Sequence, residues 1–317
     1  MFSQAPREKD RPRPATLHGS AFSAFRKSFS AGIRKERGKG KDFPNLPKKR
    51  RWVLGAAISR ALRVCVLRDH SGTTKEIKAM QAQTTVQNQF INSITQGDCI
   101  QVMRQMPSNS VDFILTDPPY LVNYHDRNGR TIQNDADGNW LKPAMAQAYR
   151  VLKQDRVAIM FYGWTKIDAF FDAWRSAGFQ PVGHLVFRKT YSSKSRFLRY
   201  QHEQAYLLAK GRPPLPKQPL ADVMDMPYSG NKLHPTQKPV EALAPLVRSF
   251  TLPGELVLDP FSGSGSSCAA ALLTDRRYVG IELDREYFHQ ATARLSRVQE
   301  RIAAKKQSSY VLIPTAE

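Results

Sequence analysis

Cysteine is scarce in this 317-residue chain: Cys65, Cys99 and Cys268 are all there are. No two lie close together and no CxxC pair exists, which argues against a disulfide framework or a structural zinc site and fits a reducing cytoplasm. Long apolar runs are missing as well, so no membrane-spanning segment is expected. The stretch Trp52–Ser59 behind Lys48-Lys49-Arg50-Arg51 has the outline of a signal peptide. It is short, lies far from the N-terminus, and Arg60 and Arg63 soon interrupt it. The histidines (18, 70, 125, 184, 202, 234 and 289) show no HxxxH or other ligand spacing, so no metal is expected. Acidic residues are few, 27 against 48 Lys and Arg, for a net charge of +21. Such a balance points to a polyanionic partner, most often nucleic acid.

The charge is unevenly placed. Residues 1–79 carry a net +14 of the +21. Residues 1–51 are rich in Arg, Lys, Ser, Gly and Pro without a lasting period and read as disordered. Residues 1–79 are therefore expected to form a basic extension: a nonspecific DNA-binding arm, a targeting peptide, or sequence upstream of a true start at Met80. Residues 80–317 form the folded domain. Its milder excess of basic residues still suits contact with a polyanion.

From about residue 90 strand and helix signals alternate. Phe90–Gln96, Val111–Thr116, Val157–Gly163, Val182–Lys189, Glu203–Ala209, Glu255–Leu258 and Tyr278–Leu283 read as strands. Ile167, Phe170, Phe171 and Trp174 share one helical face, with Gly178 as a stop. Leu243, Leu246, Val247 and Phe250 form a second stripe ended by Pro253-Gly254. A third helix lies near Cys268–Leu273, and Phe288, Ala291, Leu295 and Val298 mark the last. The pattern predicts an α/β fold, a doubly wound, mostly parallel sheet covered on both faces.

Asp117-Pro118-Pro119-Tyr120 closes a strand, where doubly wound sheets bind ligands. An exocyclic base amine is a poor nucleophile, because its lone pair is delocalised into the ring. A carboxylate and a backbone carbonyl that accept its two N–H groups free that lone pair. Successive prolines fix the backbone so that the Pro118 carbonyl can face the site, and Tyr120 offers a ring to an extruded base. The same four residues would also make an ordinary turn.

Asp259-Pro260-Phe261-Ser262-Gly263-Ser264-Gly265 follows a strand and precedes a helix. It lacks the Lys of a phosphate-binding loop, and Cys268 stands where a dinucleotide fingerprint has its third Gly. Glu282, seventeen residues past Gly265, ends the next strand. An acid there can accept both ribose hydroxyls, so the pair reads as a site for an adenosine-containing ligand without a pyrophosphate. Gly97-Asp98 ends the first strand-like stretch, and Asp98 could accept an adenine amine. His234-Pro235-Thr236-Gln237-Lys238-Pro239 opens the helix before the glycine loop, where a helix N-terminus and Lys238 favour an anion.

Together these elements resemble the beta-group amino-methyltransferases of DNA, in which a DPPY block precedes the Gly-rich block with an HPTQKP-like segment between. The resemblance spans roughly residues 92–300. It implies a Rossmann-like methyltransferase using S-adenosyl-L-methionine and double-stranded DNA, in which Asp117 and Pro118, within the Asp117–Pro119 turn, hold the target amine and Tyr120 stacks on the flipped base. By the same resemblance Asp98, Asp259, Phe261, Gly263, Ser264, Gly265 and Glu282 bind the cofactor, with Thr236 and Lys238 near its methionine end. In that family an Asp at the first motif position goes mostly with adenine N6 and a Ser mostly with cytosine N4. His202-Glu203 also resembles a family pattern. Small target-recognition insertions are expected near 121–140, closing over the base, and 190–233. Phosphate and wedge contacts are expected from Arg188, Lys189, Lys194, Arg196 and Arg199, with Tyr191, Phe197 and Tyr200. A homodimer and a partner restriction endonuclease are further expectations. The competing readings are a cytosine-N4 enzyme, a non-catalytic DNA-binding protein and an adenosine-binding oxidoreductase.

Overall fold

The computed structural model describes residues 89–310, apart from 126–128, 130, 194–196, 231–232 and 235. The basic extension, Lys194 and Arg196 lie outside the described residues. The described elements are β1 (Ser93–Gln96), α1 (Cys99–Gln105), β2 (Val111–Thr116), α2 (Leu141–Val151), β3 (Leu152–Phe161), α3 (Ile167–Ala177), β4 (Gln180–Ser193), β5 (Tyr200–Lys210), β6 (Val223–Met226), α4 (Val240–Phe250), β7 (Leu256–Asp259), α5 (Ser266–Leu272), β8 (Arg277–Glu282) and α6 (Arg285–Tyr310).

They build one eight-stranded sheet in the order β1-β8-β7-β2-β3-β5-β4-β6. The first five strands are parallel neighbours. β5 is reversed between β3 and β4, and β6 pairs parallel to β4. The mostly parallel, doubly wound reading therefore holds, with one reversed strand. β2 lies at the centre and is buried at every position. Period-2 alternation sends Ile114 into one apolar layer and Phe113 and Leu115 into the other. The first layer holds α1, α2 and α3, and the second holds α4 and α5 with Leu295 of α6.

α3 follows its stripe: Phe170 and Trp174 are fully buried, burial worth about 1.5–3 kcal/mol for a Phe-sized side chain. It ends on Gly178 at φ +104°, a left-handed cap that suits glycine. Three elements go beyond the sequence reading: α1, α2 and β6. β1 is shorter than expected, because residues 89–92 form a turn with Asn92 at φ +57°. No helix among the described residues is long and apolar enough to cross a membrane.

Candidate active site

From β7 to β8 the chain steps one way across the sheet and from β2 to β3 it steps the other, so the winding reverses between β7 and β2. At this point carboxyl ends of neighbouring parallel strands leave a crevice. Both main motifs emerge there. The Thr116 hydroxyl, at the end of β2, donates 2.7 Å to Asp259 Oδ1, at the end of β7. A cavity of about 380 Å³ opens above, a size suited to a small organic ligand. Its walls include Asp98, Asp117–Tyr120, Thr236, Lys238, the Asp259–Ser264 turn and Glu282. All four sequence motifs thus meet at one sheet edge. Gly265 is the exception, standing behind the turn as the N-cap of α5 at φ +76°.

The glycine loop is shaped from both sides. Asp259 Oδ1 also accepts the Phe261 amide at 3.1 Å, and Glu282 Oε2 accepts the Gly263 amide at 2.7 Å. Gly263 sits at φ +50°, and a Cβ there would meet the His234 ring at 3.4 Å. The His234 segment therefore lies against the loop, its ring 4.4 Å from that of Tyr287. Arg294 of α6 donates to the Ser264 carbonyl at 3.0 Å. Glu282 Oε1 accepts the Asp284 amide at 2.8 Å. Each Glu282 oxygen thus keeps acceptor capacity for a further donor. Burial raises its pKa, opposed by those amides. Burial likewise pushes Asp259 up to about 7, against hydrogen bonds from Thr116, Ser267 and the Phe261 amide. Asp98 caps α1 through the Ile100 amide at 2.8 Å. Thr236 hydrogen-bonds His234 Nδ1 at 3.2 Å.

At the other wall Asp117 Oδ1 accepts the Tyr120 hydroxyl at 2.6 Å, and Oδ2 faces Lys238 Nζ at 2.5 Å. Lys238 also lies 3.0 Å from Glu203 Oε2, and Lys189 is 3.9 Å from Glu203 Oε1. Lys238 is 5 % exposed, with its ammonium 4.9 Å from the Phe161 ring centroid. Burial lifts Asp117 above its ordinary value, opposed by Lys238 and reinforced by Glu203. Burial would raise Glu203 too, but Lys238, Lys189 and His202 outweigh it and hold it low. Burial pulls Lys238 down, yet its two carboxylates outweigh that and keep it charged. Tyr120 stays protonated, raised by burial and by Asp117. Its position depends on Gly163, where a Cβ would stand 2.8 Å from Tyr120 Cβ and 2.9 Å from its carbonyl.

The segment after Tyr120 folds on Asp135, whose carboxylate accepts the Leu121 amide at 2.7 Å and the Tyr124 amide at 2.6 Å. That bond holds Leu121 at φ +61°, a conformation disfavoured for its side chain. Trp140 closes the segment against Phe261, ring centroids 5.0 Å apart.

Of the expected phosphate contacts, Lys189 points inward to Glu203, whereas Arg188 is exposed and pairs at the surface with Asp225 at 2.7 Å. Phe197, between β4 and β5, is 93 % exposed. The sequence reading gave Glu203 no role and did not single out Asp135, Trp140 or Tyr287. Trp140 is the N-cap of α2 and Tyr287 lies in the first turn of α6, so both stand at helix starts beside the cavity. Nothing local announces the partners of Glu203 and Asp135.

A family model described as DNA methylase matches residues 111–293. YubD of Escherichia coli (strain K12), named as a methylase, is 58 % identical over 204 residues, 64 % of this chain and 90 % of that protein. The type II methyltransferase M2.MboI of Moraxella bovis is 28 % identical over 64 % of this chain and 86 % of its own. Among solved structures, an M1.HpyAVI–SAM complex superposes with a TM-score of 0.53 at 23 % identity, over 64 % of this chain and 98 % of that one. The cytosine-N4-specific PvuII DNA methyltransferase also gives 0.53, at 16 % identity over 66 % and 92 %.

Proposed function

Because this chain belongs to the DNA methylase family, we propose that it methylates the N6 amine of adenine in double-stranded DNA. S-adenosylmethionine is the methyl donor, and when bound it supplies an already activated methyl group. The residues present fit it. The side-chain-free backbone at Gly263 and the remaining acceptor capacity of Glu282 face one cavity. In this reading Glu282 accepts the ribose hydroxyls and Asp98 the adenine amine. Phe261, Gly263 and Ser264 line the pocket, Asp259 and Gly265 hold the loop in shape, and Thr236 and Lys238 border the methionine end.

The carrying observation is Asp117, an Asp rather than a Ser, at the end of β2 beside the glycine loop. Its carboxylate and the Pro118 carbonyl accept the two N–H groups of an extruded base, and the Tyr120 ring stacks on it. The developing positive charge on the amine is met by the Asp117 carboxylate. Alignment accounts for most of the rate, and a strong general base is not required. The segments 121–140 and 190–233 serve as the target-reading insertions. Likeness to a type II methyltransferase supports a modification role beside a cognate endonuclease. The test uses methyl-labelled cofactor and unmethylated bacterial DNA digested to nucleosides. Label in N6-methyladenine is expected; label in N4-methylcytosine would overturn the adenine reading while leaving the reaction class.

A further inference from the structure

Lys189, Glu203, Lys238 and Asp117 form a row of alternating charge leading from β4 and β5 to the end of β2, with spacings of 3.9, 3.0 and 2.5 Å. Both lysines are buried. The row sums to zero, the condition under which charges tolerate a low-dielectric interior. Its inner end is the difficulty. On the reading above, Asp117 must accept a neutral base amine, yet Lys238 occupies one of its oxygens. When Asp117 turns to the base, the Lys238 ammonium needs another carboxylate in place, because an uncompensated buried ammonium is costly. Glu203 is that carboxylate.

We propose that Glu203 is a positioning residue: it retains the Lys238 ammonium beside the site so that Asp117 can exchange that partner for the target amine. The inference rests on the assignment of Asp117 as amine acceptor. Lys189 supports Glu203 from the far side, its own ammonium 5.3 Å from the Tyr191 ring centroid. Asp117 is faced by Tyr120, Lys238, Glu203 and Asp259, and Glu203 by Lys189, Lys238, His202, Asp117, Tyr120 and Tyr191. Without Glu203, Lys238 has one anionic partner left, and Asp117 becomes harder to free.

The experiment compares kcat, its pH profile and calorimetric S-adenosylmethionine binding for wild type, Glu203→Gln and Glu203→Asp. For Glu203→Gln, kcat is expected to fall by about tenfold or more, the order seen when a charged partner is lost from a buried network, with cofactor affinity unchanged. The acidic limb of its profile moves to lower pH, because a negative charge facing Asp117 is gone. Merely structural damage would lower the plateau without moving the limb. Glu203→Asp keeps the charge and is expected to keep the limb and most of the rate. A wild-type rate or an unmoved limb in Glu203→Gln overturns the proposal, as does a Glu203→Asp enzyme as slow as an Asp117 variant. An Asp117→Asn enzyme with full activity would sink the underlying reading instead. An inactive Asp117→Asn beside an unaffected Glu203→Gln would sink the positioning role alone.

Discussion

The Lys238 ammonium lies 2.5 Å from the Asp117 carboxylate, although 121 residues separate them in the chain. The contact joins the helix-opening segment before α4 to the end of β2, so it binds the fold as well as the site. Removing one partner of a buried ion pair typically costs about 3–5 kcal/mol, because the other charge stays buried. Lys238→Met leaves Asp117 without its cation and Glu203 with Lys189 alone as its buried one. Its unfolding free energy, from urea titration, is expected to fall by that order. The loss is expected to shrink as the pH is lowered, since Asp117, whose pKa burial already raises, can regain a proton. An unchanged denaturation midpoint would contradict this.

Asp259 gives a second pH effect. Burial moves its pKa from 3.8 to about 7. Below 3.8 the folded and unfolded states are both protonated and the group costs nothing. Between 3.8 and about 7 the unfolded state releases the proton and the folded state keeps it, so stability falls as pH rises; above that window the penalty is constant. Asp259→Asn resembles the protonated acid and still accepts from Thr116 and the Phe261 amide. Its melting temperature minus that of wild type is expected to grow across this window. A flat difference would refute the buried-acid account.

Glu282 separates binding from chemistry. Glu282→Gln places an amide group where the Gly263 and Asp284 amides require acceptors. Calorimetry is expected to show about 10- to 100-fold weaker S-adenosylmethionine binding, a loss of about 1.4–2.7 kcal/mol. With cofactor saturating, kcat is expected to stay near wild type.

Phe197 offers a test on the DNA side. A large apolar side chain 93 % exposed beside Arg199 suits a wedge or stacking contact with DNA. Phe197→Ala is expected to weaken DNA binding by about tenfold, within the range of one lost stacking contact, with cofactor affinity unchanged. Equal DNA affinity in a gel-shift titration would remove the residue from the interface.

The parts of the fold legible in sequence are those whose burial is periodic and local. β2 emerged at its observed bounds because every residue is buried, and α3 because its stripe and Gly178 agree. α2 carries a similar signal, with Leu141, Ala144, Met145, Ala148 and Val151 all buried, but its small alanines weaken the contrast. β6 could not be read: it is four residues long, carries Asp225 in its middle, and buries only Met226. In the site, motif spacing pointed to Asp117, the glycine loop and Glu282, and the fold brings them to one cavity. The charge row was hidden, because Lys189, Glu203, Lys238 and Asp117 come from four distant segments and a lone lysine reads as solvated. Lys189 illustrates this: expected as a phosphate contact, it faces inward because β4 alternates and its neighbour Arg188 takes the outward position.

The most direct test of the account is transfer of a labelled methyl group to unmethylated DNA by wild type and Asp117→Ala, with S-adenosylmethionine affinity measured on both preparations. The account predicts transfer by wild type, and a variant that binds cofactor normally but transfers about 100-fold less or slower, the scale of losing a principal electrostatic contact. Transfer by Asp117→Ala at the wild-type rate would contradict it.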